Sequence, residues 1–210
     1  SFLEQNNIIP DKYSFQKLRL ILSTGSPLIE ENYDFVYNKW KHDVQLSSIS
    51  GGTDIISCFA LGNPIKPVIK GKLQSLGLGM NVKSFDKNGK SLISDKGELV
   101  CVAPFPSMPI YFFNDSNNLK YKSAYFDAYP NIWKHGDYIS IYEDGTVKIF
   151  GRSDTTLNPG GVRIGTAEIY RVLDKIKYIE DSVVIGYQHN EDEVIVLFVK
   201  MQKKELTNKI

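Results

Sequence analysis

The stretch GRSDTTLNPGGVRIGTAEIY, from Gly151 to Tyr170, is where the chain changes texture. Its first half is polar and turn-rich. Glycines at 160, 161 and 165 then surround Val162-Arg163-Ile164, after which Ile169, Val172, Leu173 and Ile176 recur at helical spacing. Thr166 reads as the N-cap of that helix, and Glu168 falls in its first turn. Further on, DSVVIGY from Asp181 and EVIVLFVKM from Glu193 read as adjacent strands around the turn-prone pair His189-Asn190. One helix and two strands make a marginal core, so a small unit that begins near Asp154 is incomplete by itself or leans on what precedes it.

Working back from Gly151, the chain reads as short strands separated by Gly, Pro, Asn and Asp. Val68 to Leu76, Met80 to Phe85, Glu98 to Val102 and Tyr138 to Tyr142 are the candidates, as in a small antiparallel sheet or open barrel. Asn88-Gly89 after Asp86 marks one turn, and Asp144-Gly145 between ISIYE and TVKIF is a two-residue hairpin signal. From Pro104 to Pro130 the sequence is aromatic but irregular, which suggests a long surface excursion pinned to the sheet by its rings. The amino-terminal part differs. LRLILS, ending at Ser23, reads as a strand that empties into Thr24-Gly25-Ser26-Pro27, and Tyr33, Val36, Tyr37 and Trp40 form one aromatic helix face facing the core. Val44 to Leu46 is a second strand, followed by the small polar loop from Ser47 to Asp54. Two loops leaving one strand edge are where ligands bind in α/β sheets. The expected class is α/β plus β: a partial α/β subdomain over 1–66, an antiparallel β subdomain over 67–153, and a truncated small α+β domain over 154–210, with a hinge near Asp154.

Composition narrows the function classes. With Lys+Arg 25 against Asp+Glu 24 in 210 residues, the net charge is +1, so no diffuse basic field exists to attract nucleic acid. No run approaches the roughly 18 apolar residues of a membrane span, which predicts a soluble chain. Cys58 and Cys101 lack C-x-x-C or zinc spacing and read as buried thiols of a reducing, cytoplasmic setting, with a disulfide as the open alternative. Three histidines (His42, His135, His189) are too few for a histidine-rich metal cluster, and no G-x-S-x-G, H-E-x-x-H or P-loop motif occurs.

What remains is a series of small-residue loops that each carry a charge or hydroxyl. In Thr24-Gly25-Ser26-Pro27 the glycine permits close approach to a ligand, or simply ends a strand. Ser50-Gly51-Gly52-Thr53-Asp54 offers backbone N–H groups and a hydroxyl to phosphate oxygens, with a carboxylate alongside for a divalent cation. Asp137, after Gly136 and beside His135, can accept two sugar hydroxyls or form an Asx-turn. Arg152 and Arg163 are forked donors on glycine-flanked backbone, suited to phosphate or carboxylate. Together these groups describe a nucleotide triphosphate site better than a protease or an oxidoreductase.

The ordered series STGSPL (Ser23 to Leu28), SISGGTDIISCF (Ser48 to Phe59), GELVC (Gly97 to Cys101), IWKHGDY (Ile132 to Tyr138) and GRSDTTLNPGGVRIGTAEIY resembles the adenylate-forming superfamily of acyl-CoA synthetases. Within it the match is to members that activate acetoacetate or a similar short acyl acid. The resemblance implies a partial large domain, ATP/AMP, Mg²⁺ and CoA as ligands, and a two-step reaction. Acetoacetate attacks the ATP α-phosphate, and after a rotation of the small domain the CoA thiol attacks the resulting anhydride. By the same resemblance Gly25, Ser26 and Pro27 line the adenine pocket, and Ser50, Gly51 and Gly52 lie between adenine and the acyl carboxylate. Thr53 contacts phosphate, and Asp54 takes the place of the family's usual magnesium-associated glutamate. Asp137 holds both ribose hydroxyls, and Arg152 lies near ribose and phosphate. Asp154 is the hinge, Asn158 supports the loop, Arg163 contacts phosphate, and Gly161 and Gly165 border the CoA thiol channel.

The family also has an upstream phosphate-gripping loop and a downstream adenylation lysine, and neither Lys203, Lys204 nor Lys209 stands in a matching motif. The chain therefore resembles a central-to-late slice of a longer enzyme and is expected not to turn over alone. Missing portions of that enzyme are its expected partners, with no nucleic acid and no membrane. A non-catalytic nucleotide-binding or interaction module, or a degenerate remnant, is the alternative expectation.

Overall fold

The aliphatic run Leu20–Ser23 forms β1, which ends where Gly25 adopts a φ of 92° and turns the chain aside. The computed structural model describes residues 3, 6–157, 164–176, 178–189 and 192–201. It divides the chain into two compact units, Ser1–Gly151 and Arg152–Ile210.

In the first unit, helix α1 (Glu30–Lys39) leads from β1 to β2 (Gln45–Ser48), which pairs parallel to β1 with Ser48 opposite Ser23. The aromatic face of α1 is the buried one. Tyr33 and Val36 pack with Val44 and Leu46, and Tyr37 and Trp40 lie against them. The Tyr33 hydroxyl donates to the Lys72 carbonyl at 3.3 Å, and burial, helped by Tyr37, pushes its phenol up to about 12. Parallel strands send both following loops off one edge, and the Ile49 amide joins the edge by donating to the Ser23 carbonyl at 2.8 Å.

The rest of the unit is antiparallel. Strands β3 (Ser50–Gly52), β4 (Ser57–Leu61) and β5 (Ser75–Leu76) form one sheet in that order. Strands β6 (Val82–Phe85), β7 (Ser91–Leu92), β8 (Gly97–Cys101), β9 (Trp133–Ile141) and β10 (Val147–Arg152) form a second, in the order β10-β9-β8-β6-β7. Ile55, Phe59, Leu99, Trp133, Ile139 and Val147 are fully buried members of the core these strands share.

Several expectations change. The strand read from Val68 to Leu76 survives only as β5 and a bridge from Leu73 to Val147, because Gly71 turns the chain at φ 72°; the buried Gln74 side chain ties the segment to the Asn63–Lys66 turn. Gln74 Nε2 donates to the carbonyls of Asn63 at 2.9 Å and Lys66 at 2.6 Å, while Oε1 accepts from the Asn63 amide at 3.0 Å and from Gln45 Nε2 at 3.0 Å. The β9–β10 hairpin has a three-residue loop rather than the two-residue one: Gly145 N–H donates to the Tyr142 carbonyl at 2.9 Å, and of Asp144 and Gly145 only Gly145 has positive φ. Asp144 Oδ1 accepts from the Thr146 hydroxyl at 2.6 Å and amide at 2.8 Å, which holds its carboxyl below the usual carboxylate range. The aromatic excursion contains a short helix, α2 (Leu119–Tyr125), whose first-turn amides of Lys120 and Tyr121 donate to Asp115. Its rings do pin it: Tyr121 is buried and Tyr125 stacks on Trp133 with centroids 3.6 Å apart.

In the second unit β11 (Thr156–Leu157) pairs with β12 (Ile164–Gly165), α3 spans Thr166–Leu173, and β13 (Ile179–His189) and β14 (Asp192–Met201) form an antiparallel hairpin. Gly165, with extended backbone, is the N-cap of α3, and Thr166 is its first helical residue. Leu173 and Val184 are buried, Val172 is exposed, and the Tyr170 hydroxyl accepts the Val184 amide at 3.0 Å. Asn190 lies outside the described residues. Among the described residues no helix is long and apolar enough to cross a membrane.

Replacing Gln74 with Met keeps the side chain's bulk and leaves backbone groups of Asn63 and Lys66 without their partner. We expect Gln74→Met to lower unfolding free energy by roughly 2–4 kcal/mol in a denaturant titration. An unchanged midpoint would show that the network adds no stability.

Candidate functional site

Pairing between β8 and β9 slips. Glu98 lies opposite Tyr138 and Val100 opposite Lys134, so two steps along β8 match four along β9, and His135, Gly136 and Asp137 bulge against Leu99. Gly136 permits the bulge with a φ of 85°, and its amide donates to Glu98 Oε1 at 3.1 Å. This irregularity brings two polar side chains into one place. His135 is 9% exposed and Asp137 8%, and His135 Nε2 lies 3.6 Å from Asp137 Oδ2 and 3.2 Å from the Gly51 carbonyl oxygen. On the other side of the ring, Trp133 Nε1–H donates to His135 Nδ1 at 3.5 Å, and Phe59 meets the imidazole edge to face at 4.8 Å. Asp137 stands inside β9, so its Asx-turn reading falls.

The expected loop from Ser50 to Gly52 is strand β3, a correction with a packing cause. Gly51 pairs with Cys58 and Gly52 with Ser57, and a Cβ on Gly51 would stand 2.0 Å from the Ser57 carbonyl oxygen. A Cβ on Gly52 would stand 2.9 Å from His135 Cε1. These glycines let a neighbouring strand and an imidazole close in, and their backbone is the edge strand of a three-stranded sheet, paired to β4 on one side. Thr53 and Asp54 follow in an exposed turn, where Asp54 Oδ2 accepts the Tyr125 hydroxyl. A continuous chain of contacts thus runs from Asp54 through Tyr125, Trp133 and His135 to Gly51 and Asp137. The Gly25-Ser26-Pro27 loop leaves the neighbouring strand end; nothing lies within 4 Å of a Cβ at Gly25, so this glycine serves backbone direction rather than close packing.

In the second unit Arg152 Nε donates to Asp154 Oδ1 at 2.8 Å and Nη2 donates to Oδ2, a forked pair in which the two proposed site residues satisfy each other. Both are exposed. Gly165 is buried, whereas Asn158, Gly161 and Arg163 lie outside the described residues. Cys58 is half-buried and Cys101 buried, both are free, and burial pushes both thiols up, away from nucleophilic use. Among the described residues no group of three His, Cys, Asp or Glu side chains can hold a metal ion.

Sequence reading missed Tyr125, Trp133 and Glu98 as supports of the site. The signal available was the two-residue spacing of Trp133, His135 and Asp137 in WKHGD. The bulge that modifies that spacing depends on pairing with Leu99 and carries no local mark except Gly136.

No protein-family model matches the chain. Among curated proteins, acetoacetyl-coenzyme A synthetase of Rhizobium meliloti (strain 1021) is 51% identical over 191 residues, which is 91% of this chain and 29% of that protein. Acetoacetyl-CoA synthetase of Gallus gallus is 46% identical over 203 residues, 95% of this chain and 30% of that protein. Among solved structures, acetoacetyl-CoA synthetase from Streptomyces lividans matches with a TM-score of 0.86 at 37% identity, over 99% of this chain and 32% of the other. An anthranilate CoA ligase shares the fold, with a TM-score of 0.71 at 18% identity. With relatives 44% to 51% identical over most of its length, the chain is a homologue of the acetoacetyl-CoA synthetases, and it spans about 30% of the length of those it matches.

Proposed function

We propose that this chain contributes the nucleotide-holding face of an ATP-dependent acetoacetate–CoA ligase. In the first step the acetoacetate carboxylate attacks the α-phosphorus of ATP, forming the acyl-phosphate anhydride and releasing pyrophosphate. In the second the CoA thiol attacks the acyl carbon, loses its proton and expels AMP. The observation that carries this reading is the His135–Gly136–Asp137 bulge, which holds a mostly buried carboxylate beside the glycine strand β3 in a chain with these relatives. A carboxylate accepts hydrogen bonds only, so Asp137 suits the paired hydroxyls of a ribose. Gly25, Ser26 and Pro27 would face adenine, and Ser50 to Gly52 would lie between adenine and the acyl carboxylate. Thr53 and Arg163 would meet phosphate oxygens where negative charge gathers in the transition state.

Asp54 would be the one carboxylate offered to Mg²⁺. An ion of this kind keeps water and substrate phosphates as its other ligands. Bound there, the ion would neutralise phosphate charge. Arg152 would exchange Asp154 for ribose or phosphate, and that exchange would release the segment around Asp154 to act as the hinge for the second step. Asn158 would support the loop that follows, and Gly161 and Gly165 would border the channel for the CoA thiol.

Asp137→Ala should weaken AMP binding to the chain by about 1.5–3 kcal/mol, roughly 10- to 150-fold, in calorimetry with folding checked in parallel. Equal affinity in the two proteins would remove Asp137 from the ribose. The activity is tested by grafting this chain in place of the matching segment of the Rhizobium meliloti relative. We expect the graft to form acetoacetyl-CoA with release of AMP; a folded graft with no acetoacetate-dependent AMP release would contradict the proposed reaction.

A further inference from the structure

The Asp137 carboxylate stands beside His135 Nε2 at 3.6 Å, and the same nitrogen lies 3.2 Å from the Gly51 carbonyl oxygen. The opposite ring nitrogen settles the tautomer by chemistry. An indole N–H can only donate, so His135 Nδ1, 3.5 Å from Trp133 Nε1, presents its lone pair and the proton of the neutral ring sits on Nε2. Both neighbours of Nε2, a carbonyl and a carboxylate, are acceptors, which agrees with that placement. The ring has little room to turn away: Phe59 meets it edge to face, and Gly52 approaches so closely that a Cβ there would stand 2.9 Å from Cε1. Gly136 then allows the backbone to place His135 and Asp137 on the same bulge.

We infer that His135 is a positioning residue for nucleotide recognition. Its Nε2–H donates to the Gly51 carbonyl at 3.2 Å, and the ring so anchored stands 3.6 Å from the Asp137 carboxylate and braces the aspartate against strand β3, so that the strand and the ribose-holding group form one rigid edge. The inference rests on the ribose role proposed for Asp137. It adds that ribose discrimination depends on a second, non-contacting side chain and on the absence of a side chain at Gly52. A hydroxyl or a thiol at position 135 would be too short to reach the Gly51 carbonyl from the same backbone and to stand against the carboxylate. Gln is the conservative replacement, because it can carry an N–H donor to about the depth of Nε2, whereas Leu fills space without a donor.

The test compares AMP with 2′,3′-dideoxy-AMP, which lacks the hydroxyls, by calorimetric titration of the chain. The ratio of the two affinities should fall about five- to tenfold in His135→Leu, should recover to within about twofold of the parent in His135→Gln, and should fall in Gly52→Ala, where the new methyl displaces the ring. In the double variant His135→Leu/Asp137→Ala the ratio should equal that of Asp137→Ala alone, because His135 acts only through the aspartate. A ratio lowered by Asp137→Ala but untouched by His135→Leu overturns the positioning role while leaving the ribose reading intact. A ratio untouched by Asp137→Ala overturns the ribose reading itself. Imidazole ¹⁵N resonances of the unliganded chain give a readout independent of nucleotide: protonated Nε2 with unprotonated Nδ1 supports the inference, and the reverse tautomer overturns it.

Discussion

The indole of Trp133 is where the hydrophobic core and the polar edge of the first unit meet. It is 1% exposed, stacks on Tyr125, meets Phe105 and Phe126 edge to face, and gives its one hydrogen-bond donor to His135. Because an indole is large and donates in a single direction, its packing fixes where the imidazole lies and turns a donor toward Nδ1. Tyr125 extends the same link outward, since its ring lies on Trp133 and its hydroxyl reaches Asp54. Every polar group proposed to face the nucleotide from β3, β9 or the turn after β3 therefore stands a few contacts from this one side chain.

That arrangement explains why the glycines occur where they do. Gly51 lies tight against the backbone of Ser57, Gly52 against the His135 ring, and Gly136 supplies the left-handed turn of the bulge. Each allows a close approach or a backbone conformation that a side chain would resist. The second unit shows a complementary economy: Arg152 and Asp154 occupy each other, so the same contact that holds the segment also keeps a strong anion-binding fork engaged.

Much of this was legible because local physics set it. The aromatic row of α1 had to face a core, the strand-loop-helix-strand pattern produced parallel β1 and β2, and the apolar runs after Asp181 and Glu193 paired as a hairpin. What was hidden depends on long-range pairing. Ser50 to Gly52 is compositionally a loop and becomes strand only because β4 returns beside it; the Val68 to Leu76 run looks like a strand but is broken where Gly71 turns at positive φ. Asp137 could be singled out from Gly136 beside it, but its companions Trp133 and His135 join it through a register shift against Leu99 that no local pattern announces. Thr166 failed as an N-cap for a simpler reason: the helix starts one residue earlier than its preference suggested, with Gly165 at the cap.

The central claim is that nucleotide binds at the edge made by β3 and the β9 bulge. Titrating AMP into ¹⁵N-labelled chain and following backbone amides tests it most directly. The account predicts saturable shifts centred on Gly51, Gly52, Gly136 and Asp137. Shifts centred elsewhere in the chain, with those four amides unmoved, would contradict it.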